Sequence, residues 1–388
     1  MRPVAVVGAG MTPFGELFGM GIKEMLPRAL SAALGSVDKG MDRTAIGAAW
    51  FGELQTTDGF PAGVLADSCG LLDIPVTRVE NACATGNDAL RNAAMAVAGG
   101  HVDVALVIGA DKVRETSARG TFWQWMGMTR DSAWDYPLGL IAPANFALHV
   151  SRWMHETGAT REHLAMVAVK NHRHALTNPY AQLRFEITVE QVLAAPLVVE
   201  PFGMYDCTPQ SDGAAAALLV AGDLADRYTD RPVWVRGVGL GLDRVMHAHK
   251  RDMTTFPATV KAAGAALGMA GITPADIDVA EVHDCFTGVE LMSYEDLGFC
   301  EKGSAHKLIE NGETCVGGRL PVNPSGGLKA KGHPPGATGI AQCFEIFEQL
   351  RGEAKNQVDG ARYGLTHNIG GPTAVSAVAV FEGPGGNR

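Results

Sequence analysis

The chain has 388 residues, 46% hydrophobic and 19% charged, which allows large buried cores and excludes a globally disordered protein. A formal net charge of −10, with no Lys/Arg run, argues against nucleic acid as a partner. The seven cysteines form no CxxC pair, so neither a disulfide framework nor a zinc ribbon is expected, and a reducing compartment fits best.

The N-terminus runs into a strand, Val4–Gly8, with no signal-peptide pattern, and no apolar run reaches the ~18 residues of a membrane span. No membrane association and a cytoplasmic location are therefore expected. Gly8-Ala9-Gly10 is followed next by Gly15, which breaks the dinucleotide-binding spacing. A helix over Lys23–Leu34 and a strand over Ala48–Gly52 follow. The most informative stretch comes next: Val79-Glu80-Asn81-Ala82-Cys83-Ala84-Thr85-Gly86. Leu90, Ala93, Ala94, Val97 and Ala98 then fall at spacings of three and four, the apolar stripe of a helix over Ala84–Ala98. Cys83 thus stands at a helix N-terminus, where free N–H groups and the helix dipole favour the nucleophilic thiolate.

A strand over Val102–Ile108 closes this run. From about Lys112 to Asp212 the pattern breaks, and four of the six tryptophans (Trp123, Trp125, Trp134 and Trp153) fall here. This reads as an insertion with helices over Pro143–Thr157 and Arg161–Leu176, a lid or pocket wall. A strand over Ala214–Val220 resumes the scaffold. The second half opens at Pro232–Val238 and continues through a helix (Ala258–Leu267), a strand (Ile277–Val282), a helix (Thr338–Leu350) and two strands (Arg362–Thr366, Ala374–Phe381). The alternation indicates an α/β protein with helices packed on sheets. The halves echo one another: Cys83-Ala84-Thr85-Gly86 and Gly336-Ala337-Thr338-Gly339 are both glycine-bearing helix starts. We read two copies of one fold, 1–225 and 226–388, with the insertion at about 112–212 in the first.

Three segments of the second half carry chemistry. Glu281-Val282-His283-Asp284-Cys285-Phe286 follows a strand, where sites of α/β sheets gather. The Gly-rich loop Asn323–Gly339 holds His333 between Gly332 and Pro334, a positioned base for a thiol; Ser325 and Gly326 in it are candidate substrate-binding positions. Thr366-His367-Asn368-Ile369-Gly370-Gly371 ends a strand, and Asn368 and Gly370 are candidate oxyanion-hole or supporting positions. Together these segments suit acyl transfer through a thioester on Cys83.

In these segments, in their order, and in Ser211-Asp212-Gly213-Ala214-Ala215-Ala216, the chain resembles the thiolase superfamily over nearly its whole length. It departs from most thiolases in reading His283-Asp284-Cys285-Phe286 where they carry Asn-Glu-Ala-Phe, and in lacking a cysteine in the final Gly-rich loop. Both departures are shared by the sterol-carrier-protein type and by related archaeal and bacterial acetyl-CoA acetyltransferases. The resemblance implies a five-layered α-β-α-β-α sandwich of two βαβαβαββ halves with an inserted loop domain. It implies that Cys83 is acylated, His333 activates it, Cys285 moves the α-proton of acetyl-CoA, and His283 helps form one oxyanion hole. The N–H groups of Cys83 and Gly370 would form the other. It further implies acyl-CoA substrates without a further cofactor or metal, and a homodimer or homotetramer. Some relatives are retro-aldolases, which tend to lack the nucleophilic cysteine; some archaeal ones work beside a hydroxymethylglutaryl-CoA synthase and a small OB-fold protein. Arg114, Arg119 and Arg130 are candidates for the CoA phosphates.

Overall fold

The computed structural model describes residues 2–54, 60–114 and 130–384. Strands β1 (Val4–Met11), β4 (Val104–Asp111) and β7 (Gly213–Ala221) are buried at every position. Their near-continuous apolar runs are what strands covered on both faces require. With β2 (Ala48–Gly52) and β3 (Val76–Val79) they form the first half of a sheet in the order β3-β2-β4-β7-β1. The second half is built from β8 (Val233–Leu242), β9 (Val279–Glu281), β10 (Tyr363–Gly370) and β11 (Val375–Glu382), in the order β8-β11-β10-β9. The two halves join: β1 pairs antiparallel with β8 through Ala5–Trp234 and Val6–Val233, giving one nine-stranded sheet among the described residues.

Helix α1 (Ile22–Gly35), with α2 (Pro61–Cys69) against it, covers the outer face of the first half. Helix α3 (Thr85–Ala98) lies in the middle and touches strands of both halves. The insertion contributes α4 (Ala142–Thr157), α5 (Arg161–Ala175), α6 (Val189–Ala194) and the short pair β5 (Leu197–Val199) and β6 (Phe202–Gly203). After α7 (Ala225–Tyr228), α8 (Pro257–Ala270) covers the outer face of the second half. Then come α9 (Thr287–Asp296), α10 (Ala305–Glu310) and α11 (Gly327–Lys331). Helix α12 (Pro335–Arg351) packs beside α3 and is buried at all but one of its positions, as a helix enclosed between two sheet halves must be. The layers run α1/α2, first-half strands, α3/α12, second-half strands, α8, which is the expected sandwich.

The central seam has no room for side chains. A Cβ on Gly109 of β4 would lie 2.1 Å from the carbonyl oxygen of Gly336, and one on Gly336 would lie 2.5 Å from that of Gly52. Gly336 thus lets α12 reach the strands, while a Cβ on Gly86 would lie 2.9 Å from the Gly336 oxygen and one on Gly339 2.2 Å from the Asn87 nitrogen, so the glycines of the two echoed helix starts let α3 and α12 approach each other. The eight expected strands and six expected helices are present, the strand Ala48–Gly52 with its expected bounds and the others with shifted ends. Missed were β3, only four residues with two exposed, the pair β5–β6, and the helices α2, α6, α7, α9, α10 and α11, of which α9 is buried throughout and shows no stripe.

Candidate active site

Cys83 stands in the turn between β3 and α3. Before it, Ala82 takes φ 49°, in the left-handed region, which costs a non-glycine residue about 1 kcal/mol. Thr85 holds this turn: its Oγ1 accepts from the Asn81 N–H at 2.8 Å and donates to the Ala82 carbonyl at 2.6 Å. Ala82 N–H donates to the Glu80 carboxylate at 2.6 Å. From the other half, Gly370 closes on the turn; a Cβ there would lie 2.3 Å from the Asn81 oxygen and 3.2 Å from the Ala84 nitrogen.

The expected resting thiolate is corrected by this environment. Burial, reinforced by the carboxylates of Asp111 and Glu80, pushes the Cys83 thiol up to about 12. The α3 N-terminus is near, but desolvation and two negative charges outweigh it.

His333 enters from Gly332, whose φ is 116°. Its N–H donates to Ser211 Oγ at 3.1 Å, and that hydroxyl donates to Gln182 Oε1 at 2.6 Å. Asp212 is locked by a buried ion pair to Lys112 at 2.9 Å. The Ser-Asp-Gly stretch thus supports the histidine loop. His333 Nδ1 lies 2.7 Å from Thr338 Oγ1, which itself donates to the Pro334 carbonyl at 2.8 Å. The hydroxyl has one hydrogen and spends it on Pro334, so Nδ1–H is the donor and Nε2 carries the lone pair. Nε2 is buried without a protein partner. Burial holds the ring neutral, with its pKa lowered to about 3.

A nitrogen of His333, a nitrogen of His283 and Cys83 Sγ all lie within 4.8 Å of one another. The two rings meet edge to face, centroids 5.3 Å apart at 78°. His283 is fully buried with neither ring nitrogen bonded, and burial, with His333 and His367 nearby, keeps it neutral. Cys285 shares a cavity of about 240 Å³ with Cys83 and His333. Burial, then the neighbouring Cys83, Asp284 and Cys207, drive its thiol well above the ordinary range. Phe146 of α4 and Phe286 form apolar wall, their centroids 5.4 Å apart.

Asp284, between His283 and Cys285, serves the scaffold. Its carboxylate accepts from the N–H groups of Leu328 and Lys329 at 2.6 and 3.1 Å, and from Asn171 Nδ2 at 2.8 Å. One carboxylate therefore ties the Cys285 loop, the helix α11 leading to His333, and α5 of the insertion. Behind it Glu290 binds Lys170, Asn171 and Asn323.

The remaining candidates lie elsewhere. Ser325 Oγ donates to Glu281 at 2.6 Å, Gly326 packs on Ala175, and neither lines the cavity. Asn368 is buried in β10, its side-chain amide without a partner. Arg114 pairs with Glu16; Arg130 is buried at the cavity edge; Arg119 lies outside the described residues. Trp153 is in the core with Nε1 bonded to Glu295 at 3.1 Å and Trp134 is exposed, so neither lines the cavity, while Trp123 and Trp125 lie outside the described residues. Cys207 and Phe146 line the cavity yet stand in segments with no motif. Thr338 was visible only as one half of the echoed helix start.

A cysteine, two histidines and a second cysteine gathered over a duplicated sandwich define a thiolase-type site. Residues 4–223 match the family model "Thiolase, N-terminal domain" and residues 239–383 match "Thiolase C-terminal domain-like". The chain belongs to the thiolase family. It is 44% identical to an acetyl-CoA acetyltransferase of Methanothermobacter thermautotrophicus, over 98% of this chain and 100% of that one. It is 36% identical to human sterol carrier protein 2, over 95% of this chain and 70% of that protein. Among solved structures it resembles "Ltp2-ChsH2(DUF35) aldolase", with TM-score 0.85, 27% identity and coverage of 100% and 99% of the two chains. Among the described residues, no helix is long and apolar enough to cross a membrane.

Proposed function

We propose that the chain is an acyl-CoA C-acyltransferase that forms or cleaves 3-ketoacyl-CoA, acetoacetyl-CoA being that 3-ketoacyl-CoA, through an acyl-Cys83 intermediate. The observation that carries this is the meeting of Cys83, His333 and Cys285 in one cavity from three distant segments. It is supported by two named acetyl-CoA acetyltransferases at 44% and 38% identity.

His333 Nε2 takes the Cys83 proton as Sγ attacks the thioester carbonyl. With the thiol pushed up and the imidazole pushed down, a standing thiolate–imidazolium pair is disfavoured. The proton therefore moves as the carbon–sulfur bond forms. His333 returns it to the leaving CoA sulfur, giving acyl-Cys83 and free CoA. In the second half-reaction the Cys285 thiol first passes its proton to the neutral His333 imidazole, and the thiolate so formed removes the α-proton of acetyl-CoA; the enolate attacks the acyl carbon, and Cys83 leaves and takes up the proton held by His333. His283 contributes to an oxyanion hole, and the N–H groups of Cys83 and Gly370 form the other, with Asn368 in support. CoA thioesters are substrates, and no further cofactor is needed. A cytoplasmic homodimer or homotetramer is the assembly we infer.

Intact-protein mass spectrometry after incubation with acetyl-CoA tests this. An added acetyl group on the wild type and none on Cys83→Ala, together with loss of turnover, is expected. Retained turnover in that variant rejects the mechanism. A carbon–carbon lyase is the second reading, because the structural neighbour at 27% identity is the Ltp2-ChsH2(DUF35) aldolase. Aldehyde or ketone release without free CoA, and co-purification of a small OB-fold partner or a hydroxymethylglutaryl-CoA synthase, would favour it or a larger assembly.

A further inference from the structure

The geometry points to a second occupant of the site: a soft divalent cation, with Zn2+ as the type, bound by Cys83, His283 and His333. The three donor atoms already lie within 4.8 Å of one another. A tetrahedral zinc with Zn–S of ~2.3 Å and Zn–N of ~2.0 Å sets these ligands about 3.3–3.5 Å apart. Side-chain adjustments of about 1 Å therefore suffice to close the triangle. The proposal stands on this geometry and does not depend on the acyl-transfer reading.

Three features suit the donors to a metal. His333 offers Nε2 as a lone pair, because Nδ1–H is engaged by Thr338 Oγ1, the outer-shell bond that orients a metal-ligating histidine. His283 is fully buried with both ring nitrogens lacking any protein partner, an unmet demand that a cation fills. Sulfur and two imidazoles form a borderline-soft set that favours zinc over magnesium or calcium. The fourth position opens on the cavity lined by Cys285 and Phe286, where a water or a substrate sulfur completes the shell. No spacing motif announces this set, because its members come from three distant segments.

Binding replaces the Cys83 S–H bond by an S–Zn bond, and the thiol proton passes to solvent. The site itself needs no reaction; its consequence rests on the acyl-transfer reading, in which the nucleophile is then consumed and the metal acts as a reversible inhibitor and not as a cofactor. Acylation of Cys83 and metal binding exclude one another.

Titration of the metal-free full chain with Co2+, a spectroscopic substitute for Zn2+, tests the proposal without substrate. One equivalent is expected to give a sulfur-to-cobalt charge-transfer band. The band should vanish in Cys83→Ala, bind at least tenfold more weakly in His283→Ala, and be displaced by Zn2+. Wild-type protein alkylated at Cys83 should also lack it, which covers failure of a variant to fold. Absence of the band, or its persistence after Cys83 is blocked, overturns the site. Zn2+ should also suppress acyl labelling of Cys83 and a chelator restore it. A normal cobalt band with no acyl labelling in any condition would instead break the proposed function and leave the metal site standing.

Discussion

The two helix starts that face each other across the seam use the same device for different ends. In the first half, Thr85 Oγ1 accepts from a backbone N–H and donates to a carbonyl three residues back, fixing the strained turn that lifts Cys83. In the second, Thr338 Oγ1 donates to a carbonyl four residues back and accepts from the His333 ring, fixing a tautomer. One repeat has spent its hydroxyl on backbone shape and the other on proton placement. A duplicated fold thereby supplies nucleophile and base from equivalent corners, and the reaction needs both corners in contact.

The sharpest way to break that comparison is Thr338→Val. It removes the acceptor for Nδ1–H and frees the His333 tautomer, so kcat should fall by ~10²-fold with the fold intact, as read by steady-state kinetics and circular dichroism. Thr85→Val should act differently, costing about 1–2 kcal/mol of stability by chemical denaturation, because it removes the acceptor of the part-buried Asn81 N–H and releases the Ala82 turn. Next comes pH. A Cys83 pKa of about 12 means that iodoacetamide alkylation of the free enzyme should quicken about tenfold per pH unit from pH 6 to 9, with no plateau. A plateau near neutrality would show a thiolate stabilised by the α3 N-terminus after all. Gly370→Ala probes the contact between the halves: its Cβ would meet the Asn81 oxygen at 2.3 Å, so the nucleophile turn must shift, at about 1–3 kcal/mol and with loss of acyl labelling.

Much of this arrangement was legible from residues. Apolar runs located the buried strands, the Leu90–Ala98 stripe located α3, a helix start located Cys83, a strand end located His283 and Cys285, and a Gly-rich loop leading into a helix located His333. What escaped was what depends on neighbours far along the chain. The ionisation of Cys83 was read from its own helix, whereas burial, reinforced by Asp111 and Glu80, pushes the thiol up. Ser325 and Gly326 looked available for substrate because their loop is polar and Gly-rich. The carboxylate of Glu281, 44 residues away, already holds Ser325. Likewise Lys329 and Lys331 in that loop turn inward, to His172 and to Glu345. Polar character along a chain does not tell solvent-facing groups from those absorbed by a buried network.

The glycine seam also limits how this protein can change. Where two side chains meet, a larger residue on one side can be offset by a smaller one opposite. Gly52, Gly109 and Gly336 approach one another backbone to backbone, so none of the three has an atom left to surrender. Drift at these three positions can be offset by no trimming among the three themselves, so the spacing between nucleophile and base is hard for later tinkering to retune.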